Sequence, residues 1–213
     1  MIALVNYGMG NLRSVQKALQ YLGAEAHITS EPADLAVADA IVLPGVGAFG
    51  AAMQRLHEAG LTHAIRRAIE QGKPFLGICL GLQLLFERSS ESPGVAGLGV
   101  LKGQVVSFSE TPQFAMRVPH IGWSRLRLSQ PLYPLWQGVP DGAYVYFVHS
   151  YYAEPADPAL ITAYCDYGVP FACAVASAHL HAVQFHPEKS SAVGLQILRN
   201  FCAGVVGSSA DAS

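Results

Sequence analysis

Residues 74–87 read PFLGICLGLQLLFE, an apolar run, a cysteine held between two glycines, and a second apolar run. The first run has the length and bulk of a buried strand, and the second begins as a helix directly after Cys79. A strand that passes into a helix without a loop is the repeating joint of a parallel α/β fold. The rest of the N-terminal half follows the same alternation. IALV is a short buried strand, stopped by the turn-prone NYGMG. In NLRSVQKALQYLG, Asn11 stands at the cap position and Gly23 at the end, and Leu12, Val15, Leu19 and Leu22 recur at helical spacing. AEAHITS and AIVLPG read as strands, AAMQRLHEAG and LTHAIRRAIEQG as helices with terminal glycines, KPFLGIC as a fourth strand and LGLQLLFER as its helix. Such alternation implies right-handed crossovers and a mostly parallel open sheet flanked by helices.

After about residue 97 the pattern changes. GLGVLKGQVVSF, HIGWSRLRL, AYVYFVHSYYA, LITAYCDYG and FACAVASAHLHAVQFH read as strands joined by short turns. They are expected to add antiparallel strands to the sheet or to form a smaller second one. SAVGLQILRNFCAGVV is a last helix, expected to bury Leu195, Leu198, Cys202 and Val205. No repeat or linker divides the chain, so residues 1–206 are expected to form one domain and 207–213 a flexible tail.

A chain of 213 residues buries about 70 % of its unfolded surface, so no disulfide or metal is needed to hold it. Thirteen basic residues against 15 acidic ones give a net charge of −2 and no basic run, which argues against nucleic acid. The start lacks the pattern of a signal peptide, and no apolar run approaches a membrane span. Cys79, Cys165, Cys173 and Cys202 form no C-x-x-C pair, so free thiols and a cytoplasmic location are expected, with no metal and no cofactor. An apolar content of 51 % with 13 % charged residues suggests a well-filled core and a surface that meets a partner.

Gly77-Ile78-Cys79-Leu80-Gly81 has the form G-x-C-x-G of a nucleophile elbow. The glycines leave room for a sharp strand-to-helix turn. The turn would put the thiol at a helix N-terminus, where the dipole favours thiolate, and aim the Leu80 N–H at an oxyanion. A buried structural thiol is the alternative. A base is offered by QFHPEKS. Pro187 holds His186 extended, and Glu188 is placed to accept the Nδ1–H, leaving Nε2 for the thiol. A solvated turn is the plainer reading of H-P-E. His27, His57, His63 and His179 read as surface or ordinary core positions, and His181 as a core or interface histidine.

PGVGAFG, GICLGLQ and QFHPEKS, in that order along the chain, resemble the class I (triad) glutamine amidotransferases. NYGMGNLRSV, LPGVGAFGAAM, VPHIGWSRL, VYFVHSYY and FACAVA resemble one branch, the glutaminase subunits of imidazole glycerol phosphate synthases in histidine biosynthesis. That branch usually carries Asn where this chain has Ser124. The resemblance spans residues 1–205 and implies a flavodoxin-like α/β fold and catalysis by Cys79, His186 and Glu188. It also implies an oxyanion and glutamine site made from Gly45, Val46, Gly47, Leu80, Gln83, His149, Ser150, Tyr151 and Tyr152. Gly45 and Gly47 would let their segment reorient. The implied partner is a (β/α)8-barrel cyclase in a heterodimer, which takes the ammonia, with Asn11, Arg13, Pro119, His120 and Trp123 as candidate contacts. A core position is the alternative for Trp123.

Three other readings stay open. One is a glutaminase serving anthranilate or aminodeoxychorismate synthesis, against which GMGNLRSV and HIGW argue. Another is a stand-alone cysteine hydrolase of γ-glutamyl compounds. The last is an inactive or nucleotide-binding module; GMGN follows the first strand but lacks the full G-x-G-x-x-G.

Overall fold

The computed structural model describes residues 1–112 and 114–210, with side chains up to Val205. The N-terminal half contains β1 (Ile2–Val5), α1 (Leu12–Tyr21), β2 (Ala26–Thr29), α2 (Pro32–Val37) and β3 (Ala40–Gly45). It continues with α3 (Phe49–Glu58), α4 (Leu61–Glu70), β4 (Phe75–Cys79) and α5 (Leu80–Gln83). The second half adds β5 (Arg88–Ser89), β6 (Gly103–Ser107), β7 (His120–Arg125), β8 (Arg127–Leu128) and β9 (Tyr144–His149). It ends with β10 (Tyr151–Pro155), β11 (Ile161–Asp166), β12 (Pro170–Ser177), β13 (Leu180–Val183) and α6 (Ser191–Ala210).

The main sheet runs β2-β1-β3-β4-β13-β12-β10-β6-β5, with β11 and β8 attached beside β12. Its β2-β1-β3-β4-β13 half is parallel, as expected from the alternation. From β13 to β6 it is antiparallel. A separate ribbon pairs β7 with β9, so the later strands do both things expected of them.

Two apolar layers cover the sheet. Val15 and Leu19 of α1 join Ile197, Leu198 and Phe201 of α6 on one face. Leu35 of α2, Leu56 of α3, and Leu61 and Ile65 of α4 fill the other. In α6 the buried stripe is Ile197, Leu198, Phe201 and Val205, while Leu195 and Cys202 are only half-buried. The helix also continues to Ala210, past the expected boundary at 206. Residues 211–213 of the expected tail lie outside the described residues.

Two further differences follow from packing. α2 has one buried apolar residue, Leu35, too little for a visible period. Its last turn is closed from a distance by Lys73, whose Nζ binds the carbonyls of Leu35, Ala36 and Ala38 at 2.5–3.1 Å. The helix expected over 80–88 is a single turn. Leu82, Leu84, Leu85 and Phe86 are all buried, so the run has no polar face, and the chain turns away to pair Arg88 with Gln104.

Candidate active site

Three segments leave the carboxyl edge of the parallel strands side by side. β4 lies between β3 and β13, with Gly45 opposite Cys79 and Val183 opposite Ile78. The PGVG segment, the cysteine and the QFHPE segment therefore meet at one point, where open parallel sheets hold their ligands. Cys79 sits at φ 55°, ψ −111°, a strained conformation for a residue with a side chain. The surroundings enforce it. A Cβ on Gly81 would lie 1.8 Å from the Leu43 carbonyl oxygen, and one on Gly77 would lie 2.9 Å from the Gly81 oxygen. Both glycines of the elbow are sterically required.

His186 and Glu188 come together as expected. His186 Nδ1 lies 2.8 Å from Glu188 Oε1, with both side chains buried. The carboxylate accepts, so Nδ1 carries the proton. His186 Nε2 makes no hydrogen bond, although Cys79 lies close enough to act on the ring. Burial alone would lower the His186 pKa, but Cys79 and Glu188 outweigh it and raise it to about 9. The His186 backbone is pinned to β9 from two sides. Its N–H donates to the Tyr146 carbonyl at 2.9 Å, and its carbonyl accepts from Ser190 Oγ at 2.6 Å. Ser190 Oγ in turn accepts from the Tyr146 N–H.

A cavity of about 420 Å³ opens in front of Cys79, lined by Val46, Gly47, Leu80, Gln83, His149, Ser150 and Tyr151 among others. Two expected members are elsewhere. Gly45 is buried at the end of β3 and does not line the cavity. Tyr152 points to the opposite side of β10 from Tyr151, packs on Phe108 and Phe171, and pairs its hydroxyl with Thr111. Strand alternation could have separated the two tyrosines. Glu91 and Lys189 line the cavity and were not foreseen. Lys189 was legible as part of HPEKS, whereas Glu91 lies in a loop with no motif. One Glu91 oxygen accepts from the Phe49 N–H at the start of α3.

His120, expected on the partner surface, is instead buried. It faces His149 across the ribbon, His120 Nδ1 to His149 Nε2 at 3.0 Å. His149 Nδ1 must donate to the Tyr151 carbonyl at 2.9 Å, so its Nε2 accepts from His120, whose own Nε2 accepts from Ser124 Oγ. Desolvation lowers His120 to about 4 and His149 to about 3, which keeps both rings neutral. Trp123 is 50 % exposed, not a core residue. Pro119, Asn11 and Arg13 are exposed, and Asn11 makes no capping bond. His181 is half-buried and bonded to the Tyr133 hydroxyl. Among the described residues, no three His, Cys, Asp or Glu side chains gather to hold a metal, and no helix is long and apolar enough to cross a membrane.

An elbow cysteine beside a buried His–Glu pair, on this sheet, defines a class. The family model for glutamine amidotransferase class-I matches residues 3–205, and the chain belongs to that family. A crystal structure described as a glutamine amidotransferase superposes with a TM-score of 0.74 at 20 % identity, covering 96 % of this chain and 98 % of that one. The glutaminase domain of Trypanosoma brucei CTPS superposes at 0.70 with 18 % identity, covering 97 % and 93 %.

Within the family, the chain groups with the imidazole glycerol phosphate synthase subunit HisH proteins. It is 52 % identical to the one from Thermosynechococcus vestitus, over 95 % of this chain and 96 % of that protein. It is 50 % identical to the one from Methylococcus capsulatus, over 94 % of each.

Proposed function

We propose that this chain hydrolyses L-glutamine at Cys79 and passes the ammonia to a (β/α)8-barrel cyclase subunit, which makes imidazole glycerol phosphate and an aminoimidazole carboxamide ribotide. The observation that carries this reading is the buried His186–Glu188 pair beside an elbow cysteine at the wall of a cavity of about 420 Å³. The Cys79 sulfur attacks the side-chain amide carbon. His186 protonates the departing ammonia, leaving a γ-glutamyl thioester. It then takes a proton from water, which attacks the thioester to release glutamate and restore the thiol. Glu188 fixes the tautomer and balances the imidazolium. The Leu80 N–H and an N–H at Val46 or Gly47 would hold the oxyanion, each donor contributing about 3 kcal/mol in the transition state. Glu91 and Lys189 give the cavity one negative and one positive charge, matching the ammonium and carboxylate of an amino acid head group.

Free ammonia would be protonated in water, so a partner over the cavity mouth is chemically useful. The β7–β9 ribbon suits it. Ile121, Trp123 and Tyr144 are exposed there, and Trp123 packs edge-on against Tyr146. Lys189, at the cavity, lies over the Tyr146 ring. Trp123 is the natural anchor for an apolar contact. The free thiols fit a cytoplasmic setting. The test is glutamine hydrolysis by the chain alone, with the cyclase, and with the cyclase plus its nucleotide ligand. Activity should be low alone and rise many-fold in the ligand-bound pair. High activity alone, unchanged by the partner, would identify a stand-alone hydrolase instead.

A further inference from the structure

We propose that Gln184 is a positioning residue for the nucleophile, holding the Cys79 sulfur by a hydrogen bond whose direction is set by Gln83 and the Tyr151 carbonyl. The proposal rests on the glutaminase reading for its kinetic consequences, but its geometry stands apart from it.

Gln184 is completely buried and lies two residues before His186 on the same extended segment. It does not line the cavity, so it reaches the substrate only through its two partners, Cys79 and the cavity-lining Gln83. The orientation of its amide follows from its neighbours. A carbonyl can only accept, so the end of Gln83 that lies 2.9 Å from the Tyr151 oxygen is its nitrogen. The second hydrogen on that nitrogen goes to Gln184 Oε1 at 3.0 Å. The Gln184 nitrogen then faces Cys79 Sγ at 3.6 Å. His149 also donates to the Tyr151 carbonyl, which anchors the chain's far end.

His186, whose ring Cys79 helps to hold charged, already favours the thiolate, and the Gln184 amide adds a fixed donor on the sulfur. The helix after Cys79 is one turn long, too short to supply a full dipole. The nearest backbone acceptor, the Val148 carbonyl at 3.9 Å from Sγ, favours the thiol by taking its proton. An N–H aimed at sulfur favours the thiolate, because a hydrogen bond to a charged acceptor is the stronger one. A fully buried glutamine is costly unless its amide is occupied, and here both ends are. Removing the donor should therefore weaken the thiolate while leaving the cavity wall intact.

The experiment follows Cys79 alkylation by iodoacetamide across pH in the full chain, with Cys79→Ala as the background for the other thiols. Gln184→Met keeps the length and loses the donor. Gln184→Glu keeps the shape and puts an acceptor against the sulfur. In both, the alkylation midpoint should move up by about one pH unit, a tenfold loss of thiolate at fixed pH. Gln83→Met, one link upstream, should move it the same way by less, and this third variant decides the matter if the Gln184 variants do not fold. With the cyclase present, Gln184→Met should lower kcat for glutamine about tenfold and leave KM within about twofold, as expected when only the transition state is affected. An unchanged midpoint in folded variants, or a loss confined to KM, would overturn the assignment. A shifted midpoint in a chain that never hydrolyses glutamine would overturn the glutaminase reading and leave the role of Gln184 standing.

Discussion

Glu188 carries the single charge that holds His186 in its working tautomer, and both are buried. Glu188→Gln keeps the shape but removes the anion and can donate where the wild type accepts. The His186 pKa should fall from its raised value, and glutamine turnover should drop by about 10²-fold or more. A pH–rate profile measured with the partner checks this; an unshifted profile at full rate would assign Glu188 to packing alone. At this scale the sequence was most informative where chemistry and backbone coincide. Cys79, His186 and Glu188 were legible because an elbow needs flanking glycines and a base needs an orienting acceptor. His120 was not, because alternation along β7 places it inward while its neighbours Ile121 and Trp123 face out. Gln184 lies in QFHPEKS without a signal of its own, since only the folded chain shows which way its amide points.

The elbow is the element on which the account depends. Its strand, turn and one-turn helix are locked by the contact between Gly81 and the Leu43 carbonyl. Gly81→Ala should destabilise the fold by about 1–3 kcal/mol, as overpacking does, with loss of alignment between Cys79 and His186. Urea denaturation measures the first effect and glutaminase rate the second; a stable, active Gly81→Ala would show that β3 and the turn are less closely set than described. The expected parallel half of the sheet was legible because buried strands and amphipathic helices alternate there. The length of α5 was not. A run buried on every side carries no period, and only the need to turn back toward β5 limits it.

Across the whole molecule, three histidines are kept neutral by burial. Desolvation lowers His120 and His181 to about 4 and His149 to about 3. The unfolded chain binds protons at these groups below about pH 6.5, whereas the folded chain does not until about pH 4 or lower. Stability should therefore fall as pH drops from 7 to 5, with Tm moving about 2–4 °C for each kcal/mol lost. His186 has the opposite sign: its raised value adds stability below about 6.5 that is lost as pH rises through about 9. Thermal melts across pH 5–10 test both limbs. The acid slope should become shallower in His181→Asn, a position remote from the cavity lining. A melting temperature flat between pH 5 and 7 would mean the buried histidines protonate freely.

The most direct test of the central claim, that Cys79 makes the ammonia a partner consumes, uses Cys79→Ala with the cyclase and two nitrogen sources. Synthesis from glutamine should vanish while synthesis from added ammonium salt continues at the wild-type rate. Glutamine-dependent synthesis that survives in Cys79→Ala would contradict the account.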